Sequence, residues 1–144
     1  MLNVDTIDNG TVIDHIKSGK GKKVLEILGI TEDYQHRVAL VMNVTSKRLG
    51  KKDIVKIEGK KVSDPTANLI CLISPDSTIN QIENGKVVSK YNVKMPSSLT
   101  GVGKCANPNC ITNSENVKTS FTRKDNMLFC TFCERLFKAE ELAK

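Results

Sequence analysis

Long apolar segments are missing from this 144-residue sequence. No run approaches the roughly 18 apolar residues that a membrane-spanning helix requires, and the N-terminus lacks the successive charged, apolar and small-residue regions of a signal peptide. We therefore expect a cytoplasmic protein that has no membrane partner. Disulfides do not persist in that reducing compartment, so clustered cysteines are expected to bind a metal or to carry redox chemistry.

Motifs for catalysis are missing as well. The sequence contains no paired carboxylate motif and no glycine-rich phosphate loop of the GxxxxGKS or GxxxxGKT kind. We therefore predict that the chain is not an enzyme.

Five strands are predicted in residues 1–95 from β-branched runs and turn signals. Period-two alternation in the first strand places Val12, Asp14 and Ile16 on one face, with Ile13 and His15 on the other. The second strand has the β-branched composition of a buried strand, and an Asn-Gly pair predicts a hairpin between the last two. The predicted strands are Thr11–Ile16, Arg37–Val44, Asp53–Glu58, Thr78–Glu83 and Lys86–Val93.

Two helices are predicted between these strands. Gly29 can end a short helix in which Val24 and Leu28 share one side. Ser63 can cap a second helix, which has a proline in its first turn and ends before Pro75. The resulting order, βαββαβ plus one strand, predicts an α+β fold with a ferredoxin-like antiparallel sheet and two helices.

The C-terminal third differs from the rest in composition. All four phenylalanines lie after residue 104, which predicts a separate aromatic core for residues 105–144. The small, polar and glycine-rich residues 96–104 are typical of a linker. We therefore predict two domains, residues 1–95 and 105–144, joined by that linker.

Four cysteines in the C-terminal segment have the spacing of a metal site. The pattern C-x4-C, then nineteen residues, then C-x2-C gives two knuckles that can each present two thiolates to one ion. Because four sulfur ligands leave no open position for water, we predict one structural zinc ion in a small all-β domain. The predicted ligands are Cys105, Cys110, Cys130 and Cys133.

The formal net charge of +6 favours a polyanionic partner. Residues 96–144 carry 7 lysine and arginine residues against 5 aspartate and glutamate residues, and four thiolates with one Zn²⁺ add about −2, so the loaded domain is near neutral. Sheets that bind RNA stack bases on aromatic side chains, and residues 1–95 contain only Tyr34 and Tyr91. A zinc-ribbon nucleic-acid-binding protein is therefore the weaker alternative.

A nucleoside triphosphate fits the first domain better. Lys52, Ile54 and Lys56 fall at period two in one predicted strand and so share a face, which places two ammonium groups beside an apolar contact. Asp14, in another strand, has acceptor oxygens suited to sugar hydroxyls. The residues leave open the alternative of a solvated lysine-rich face that binds nothing.

Several segments resemble the regulatory chain of aspartate carbamoyltransferase. They are GTVIDHI, GKKDIVKIE, TINQIENGKVVSK and the cysteine segments CANPNCITN and CTFCE, and the resemblance covers nearly the whole chain. It implies a noncatalytic subunit whose N-terminal domain binds CTP or ATP and pairs with a second regulatory chain, while the zinc domain docks on a catalytic chain. In such an assembly regulatory dimers bridge catalytic trimers, and CTP inhibits while ATP activates the first committed step of pyrimidine synthesis.

The resemblance also implies roles for individual residues. Asp14 would contact the ribose, and His15 and Lys90 would contact the triphosphate. Lys52 and Lys56 would contact phosphate, ribose or base. The nucleoside part of the pocket would be lined by Val4, Asp5, Thr6, Ile7, Ile54, Asn80, Ile82 and Val87.

Overall fold

The computed structural model describes residues 7–47 and 49–143, which form two antiparallel β-sheets. The strands of the first sheet are β1 (Gly10–Lys17), β2 (Val38–Ser46), β3 (Gly50–Glu58), β4 (Thr78–Glu83) and β5 (Lys86–Asn92). Their order across the sheet is β2-β3-β1-β4-β5. The first four strands thus have the predicted ferredoxin-like topology, and the additional strand lies beside β4.

Two helices, α1 (Gly21–Ile27) and α2 (Asp64–Ile73), pack on one face of this sheet. Helix α1 is followed by Gly29 in the left-handed conformation, with φ of 74°, as expected of a C-terminal glycine. The Ser63 side chain accepts a hydrogen bond from the Thr66 N–H at 3.4 Å and caps α2. Apolar residues of both helices share a core with Ile13, Val55, Ile57 and Ile79.

The prediction that the second strand is buried is wrong. Strand β2 lies at the edge of the sheet, and none of its first eight residues is buried. Val38 and Met42 are 36% and 42% exposed. A β-branched composition therefore belongs to an edge strand here. Among the described residues, β2 pairs with β3 on one side and with no strand on the other.

The prediction that Ile16 lies on the same face of β1 as Val12 and Asp14 is wrong. The register between β1 and β3 shifts between Ile13 and Ile16, and His15 has a φ of 56°. This bulge inserts one extra residue, so Ile16 turns into the same core as Ile13 and is fully buried.

The second sheet contains β6 (Ser98–Thr100), β7 (Ser120–Lys124), β8 (Met127–Cys130) and β9 (Leu136–Lys138), paired in that order. Strands β7 and β8 form a hairpin around Asp125 and Asn126. A four-residue helix, α3 (Ile111–Ser114), and a 3₁₀ turn (Ala139–Leu142) complete this part of the chain.

Residues 96–104, predicted as a linker, contribute a strand to the second sheet. Strand β6 pairs with β7, and Leu99 and Val102 are buried. The prediction of a linker is therefore wrong for this segment: its composition is linker-like, but its two apolar side chains pack inside.

The prediction of a separate aromatic core is also wrong. One cluster of buried residues contains Leu72 of α2 together with Phe121 and Phe137 of the second sheet and Leu142 of the 3₁₀ turn. Phe132 is instead 44% exposed. The two sheets thus share a core through α2 and the 3₁₀ turn.

Among the described residues, no helix is both long enough and apolar enough to cross a membrane.

Candidate functional site

The four predicted cysteine ligands meet at one point. Cys105 and Cys110 lie before and at the start of α3, Cys130 ends β8, and Cys133 follows in the turn before β9. All four Sγ atoms lie within 4.8 Å of one another.

The spacing between the sulfur atoms fits a tetrahedral metal site. Sγ of Cys105 lies 3.7 Å from Sγ of Cys133, and Sγ of Cys110 lies 3.8 Å from Sγ of Cys130. Metal–sulfur bonds of about 2.3 Å in tetrahedral geometry place sulfur atoms about 3.8 Å apart, whereas a disulfide requires about 2.05 Å. The cluster can therefore hold a metal ion, and four such ligands would leave no open position.

Hydrogen-bond donors surround the sulfur atoms. The Thr112 hydroxyl donates to Sγ of Cys110 at 3.2 Å. Burial raises the pKa of Cys110, but the hydrogen bonds from Thr112 and the neighbouring thiols outweigh burial and bring that pKa to about 7. Burial raises the pKa of Cys105 to about 12. Four thiolates this close together would repel one another, so a bound cation is needed to hold them in one place.

The predicted charged face of the first sheet is built from residues that pair across four strands. Val12 of β1 pairs with Lys56 of β3 and Asn80 of β4, and Asn80 pairs with Lys90 of β5. Residues paired in an antiparallel sheet lie on the same face. Lys56, Val12, Asn80 and Lys90 therefore form one row, on the face opposite the helices.

Strand β3 alternates as the sequence predicts. Asp53, Val55 and Ile57 are buried against the helices, whereas Lys52, Ile54 and Lys56 are half-buried. The last three side chains thus share the face that carries the row described above.

Asp14 and His15 lie beside Lys52 at the β1 bulge. Oδ1 of Asp14 is 2.9 Å from Nζ of Lys52 and accepts a hydrogen bond from the His15 N–H at 2.6 Å. Burial raises the pKa of Asp14, but the hydrogen bonds from Lys52 and His15 outweigh burial and lower that pKa below its ordinary value. Nδ1 of His15 lies 3.1 Å from the Thr78 hydroxyl. The Asp14 carboxylate is thus held between the ammonium group of Lys52 on β3 and the backbone N–H of His15 on β1.

The remaining predicted residues lie towards the β4–β5 hairpin or outside the described structure. Ile82 pairs with Val87, one row from Asn80, and Val87 is 56% exposed. Ile7 is buried. Val4, Asp5 and Thr6 lie outside the described residues.

Two residues of this region were missed by sequence reasoning. Val12 stands between Lys56 and Asn80 in the central row, and period-two spacing from Asp14 could have found it. Asp53 is fully buried behind the face, where its carboxylate accepts hydrogen bonds from the backbone of the glycine-rich loop after β1. The partners of Asp53 are backbone N–H groups, which every residue except proline has, so no sequence pattern could have identified it.

Comparison with known proteins gives matches over both sheets. Residues 2–94 match the family model described as "Aspartate carbamoyltransferase regulatory chain, allosteric domain", and residues 97–143 match that of the metal binding domain of the same chain.

Curated relatives match over nearly their full length. A regulatory chain of aspartate carbamoyltransferase from Thermococcus sibiricus is 48% identical over 146 residues, covering 99% of this chain and 96% of the relative. The corresponding protein of Pyrococcus horikoshii is 49% identical, covering 98% and 95%. That of Methanococcus vannielii is 48% identical, covering 96% and 94%.

Proposed function

This chain belongs to the family of aspartate carbamoyltransferase regulatory chains, and we propose that its first sheet binds CTP and ATP while its zinc-loaded second sheet docks on a catalytic chain. The chain itself would be noncatalytic. It would act by passing the binding of a nucleotide on to the catalytic chains of pyrimidine synthesis.

The observation that carries the nucleotide proposal is the presence of three lysines on one sheet face. Lys56 and Lys90 lie at the two ends of one cross-strand row, and Lys52, paired with Asp14, lies on the same face of β3. Ammonium groups arranged this way suit the oxygens of a triphosphate. We propose that His15 and Lys90 contact the triphosphate and that Lys52 and Lys56 contact phosphate, ribose or base.

The nucleoside would lie beside the cations. Asp14 is ionised and has a second oxygen that can accept from a ribose hydroxyl. A site that accepts both a pyrimidine and a purine needs adaptable apolar contacts and backbone groups around the base. We assign that part to Ile54, Asn80, Ile82, Val87 and residues 4–7.

We propose zinc as the metal of the cysteine cluster. Zn²⁺ is commonly held by four thiolates in a closed tetrahedral site, and it has no redox chemistry that would complicate a structural role. Cys105, Cys110, Cys130 and Cys133 would hold it and supply the second sheet with folding free energy.

Exposed apolar side chains of the metal-binding region support a docking role. Ile111, Phe132 and Leu136 are 45%, 44% and 52% exposed. A segment this small needs most of its apolar residues for its core, so large apolar side chains on its surface call for another role. Exposed large apolar residues on a small protein can mark an interaction surface. We propose that these side chains contribute to the surface that binds the catalytic chain.

Self-association is proposed to use the β2 edge. Both edges of the first sheet, β2 and β5, carry exposed apolar side chains. Strand β5 also carries Val87 and Lys90, which a bound nucleotide would cover, so β2 with Val38 and Met42 is the edge left for a second regulatory chain. Two such chains would then bridge catalytic trimers.

Mixing the chain with aspartate carbamoyltransferase catalytic trimers tests the proposal. Sizing chromatography should reveal a larger complex, and the aspartate saturation curve of that complex should change when CTP or ATP is added. A chain that forms no complex, but binds RNA at physiological salt, would favour the nucleic-acid alternative.

A further inference from the structure

Asp53 lies where both strands that neighbour β3 become irregular. Strand β1 shifts register after Ile13, and strand β2 shifts register after Val41. The extra residues adopt left-handed conformations, with φ of 56° at His15 and 62° at Asn43. Such conformations are uncommon for residues other than glycine, and although His and Asn adopt them more readily than most, surrounding contacts help to hold them.

The Asp53 carboxylate supplies one such contact directly at the β2 bulge and two more to the backbone just beyond the β1 bulge. It is fully buried, and its Oδ1 accepts a hydrogen bond from the Asn43 N–H at 3.0 Å. Its Oδ2 accepts from the N–H groups of Gly19 and Gly21, at 2.9 Å each. A bulge removes backbone groups from the ladder, and Asp53 provides the acceptor that the freed N–H in β2 requires.

This carboxylate also takes up backbone hydrogen-bond donors of the glycine-rich basic segment that links β1 to α1. The backbone N–H groups of Gly19 and Gly21 point at Asp53, so a phosphate cannot use them. Lys20, which lies between β1 and α1, is therefore not part of a phosphate-binding backbone cradle.

The β1 bulge determines which side chains of that strand reach the charged face. Ile13 pairs with Val55, so β1 without its bulge would place His15 opposite Asp53, on the core face. With the bulge, Ile16 pairs with Asp53 instead. Asp14 and His15 are then both half-exposed, and Asp14 reaches Lys52.

We propose that Asp53 is a positioning residue of the nucleotide site: by holding the backbone on both sides of β3, it keeps Asp14, His15 and Lys52 where the ribose and the triphosphate of a nucleotide can contact them. This inference rests on the proposed function. Asp53 itself lies on the opposite face of β3 from Lys52 and does not face the nucleotide.

The variant Asp53→Asn tests the role with little change in shape. Its amide NH₂ group would face backbone N–H groups where an acceptor is needed. On the full chain, well below the unfolding temperature, calorimetry should find that CTP and ATP affinities both fall by about tenfold. Asp33→Asn, which makes the same change at an exposed carboxylate, is the matched control and should bind like the unaltered chain.

Hydrogen exchange of the His15 amide gives a readout that needs no nucleotide. If Asp53 holds the bulges, exchange at His15 and Asn43 should speed up in Asp53→Asn, while exchange in the distant β7–β8 hairpin should stay unchanged. A merely global loss of stability would speed up exchange in both places.

A second pair of variants applies if Asp53→Asn does not fold. A Cβ at Gly21 would lie 2.6 Å from Cδ1 of Leu40, the end of a side chain that can shift, and 3.1 Å from both Cβ and Oδ2 of Asp53, whereas one at Gly29 would meet nothing within 4 Å among the described residues. Gly21→Ala should therefore weaken nucleotide binding, whereas Gly29→Ala should reduce stability alone because its φ is 74°.

Folded variants with unchanged His15 exchange and unchanged nucleotide affinity would overturn the positioning role. An unaltered chain that bound neither CTP nor ATP would instead refute the proposed function, and His15 exchange would still decide whether Asp53 holds the bulges.

Discussion

The Asp14 carboxylate and the Lys52 ammonium form an ion pair between β1 and β3, with 2.9 Å between Oδ1 and Nζ. The side chains are only 28% and 16% exposed, so their attraction is less screened than that of a surface pair. This pair gives the charged face of the sheet a fixed cation, around which the other proposed contacts are arranged.

The stability of the chain should depend on pH through Asp14. Its pKa is lower in the folded than in the unfolded chain, so the ionised carboxylate stabilises the fold above the ordinary aspartate pKa of about 4, and this contribution is lost as the pH falls through the folded-state value. Urea unfolding of the unaltered chain and of Asp14→Asn should differ in free energy by a constant amount near neutrality, and the difference should shrink below about pH 4. A difference that stayed constant into acid would contradict the ion pair, and Asp33→Asn serves as the exposed control.

Lys90→Ala should weaken CTP and ATP binding together. The two nucleotides carry the same triphosphate, and losing one charge-assisted contact costs about 1 to 3 kcal/mol. Calorimetry on the full chain measures both affinities, with Lys94→Ala, at an exposed lysine just beyond β5, as the control. Unchanged affinity for both nucleotides would mean that Lys90 is only solvated surface.

Cys133→Ala should separate assembly from nucleotide binding. A segment of about 45 residues buries too little surface to fold without its metal, so loss of one ligand should unfold the second sheet and abolish association with catalytic chains. Nucleotide affinity should remain nearly intact, because the charged face lies entirely on the first sheet.

The shared core adds a further expectation for the same variant. Leu72 of α2 packs in one cluster with Leu142 of the 3₁₀ turn, so unfolding the second sheet should also lower the melting temperature of the first. Sizing chromatography, calorimetry and thermal unfolding on one sample measure all three effects. Retained assembly without the metal would rule out the docking role of the second sheet.

Leu136→Asp should weaken binding to catalytic trimers without unfolding the chain. The side chain is 52% exposed, so the substitution costs little in the free chain, whereas a charge in a docked apolar contact is costly. Val88→Asp, at a 54% exposed position on the first sheet, is the control. If the two variants bind catalytic trimers equally well, the docking surface lies elsewhere.

Local patterns predicted most of the strands and the metal site. Strand β4 has the predicted bounds, and the cysteine spacing alone identified four residues whose sulfur atoms meet. Both depend on short-range chemistry: turn residues determine where a hairpin reverses, and knuckle spacing determines which sulfur atoms can reach one ion.

Features that depend on long-range contacts could not be predicted in this way. At the β1 bulge, Nδ1 of His15 contacts the hydroxyl of Thr78, which is distant in sequence. Simple alternation along one strand takes no account of such a contact and misplaced Ile16. The exposure of β2 depends on its place at the sheet edge, and residues 96–104 became structured only because Leu99 and Val102 find a core elsewhere in the chain.

The aspartate response of an enzyme reconstituted from this chain and catalytic trimers tests the central claim most directly. CTP and ATP should each shift the half-saturating aspartate concentration of the complex that contains the unaltered chain, and should have no effect on the complex that contains Lys56→Ala/Lys90→Ala, since both cations lie in one row of the proposed site. The account would be contradicted if the complex formed but responded to neither nucleotide, or if the double variant responded like the unaltered chain.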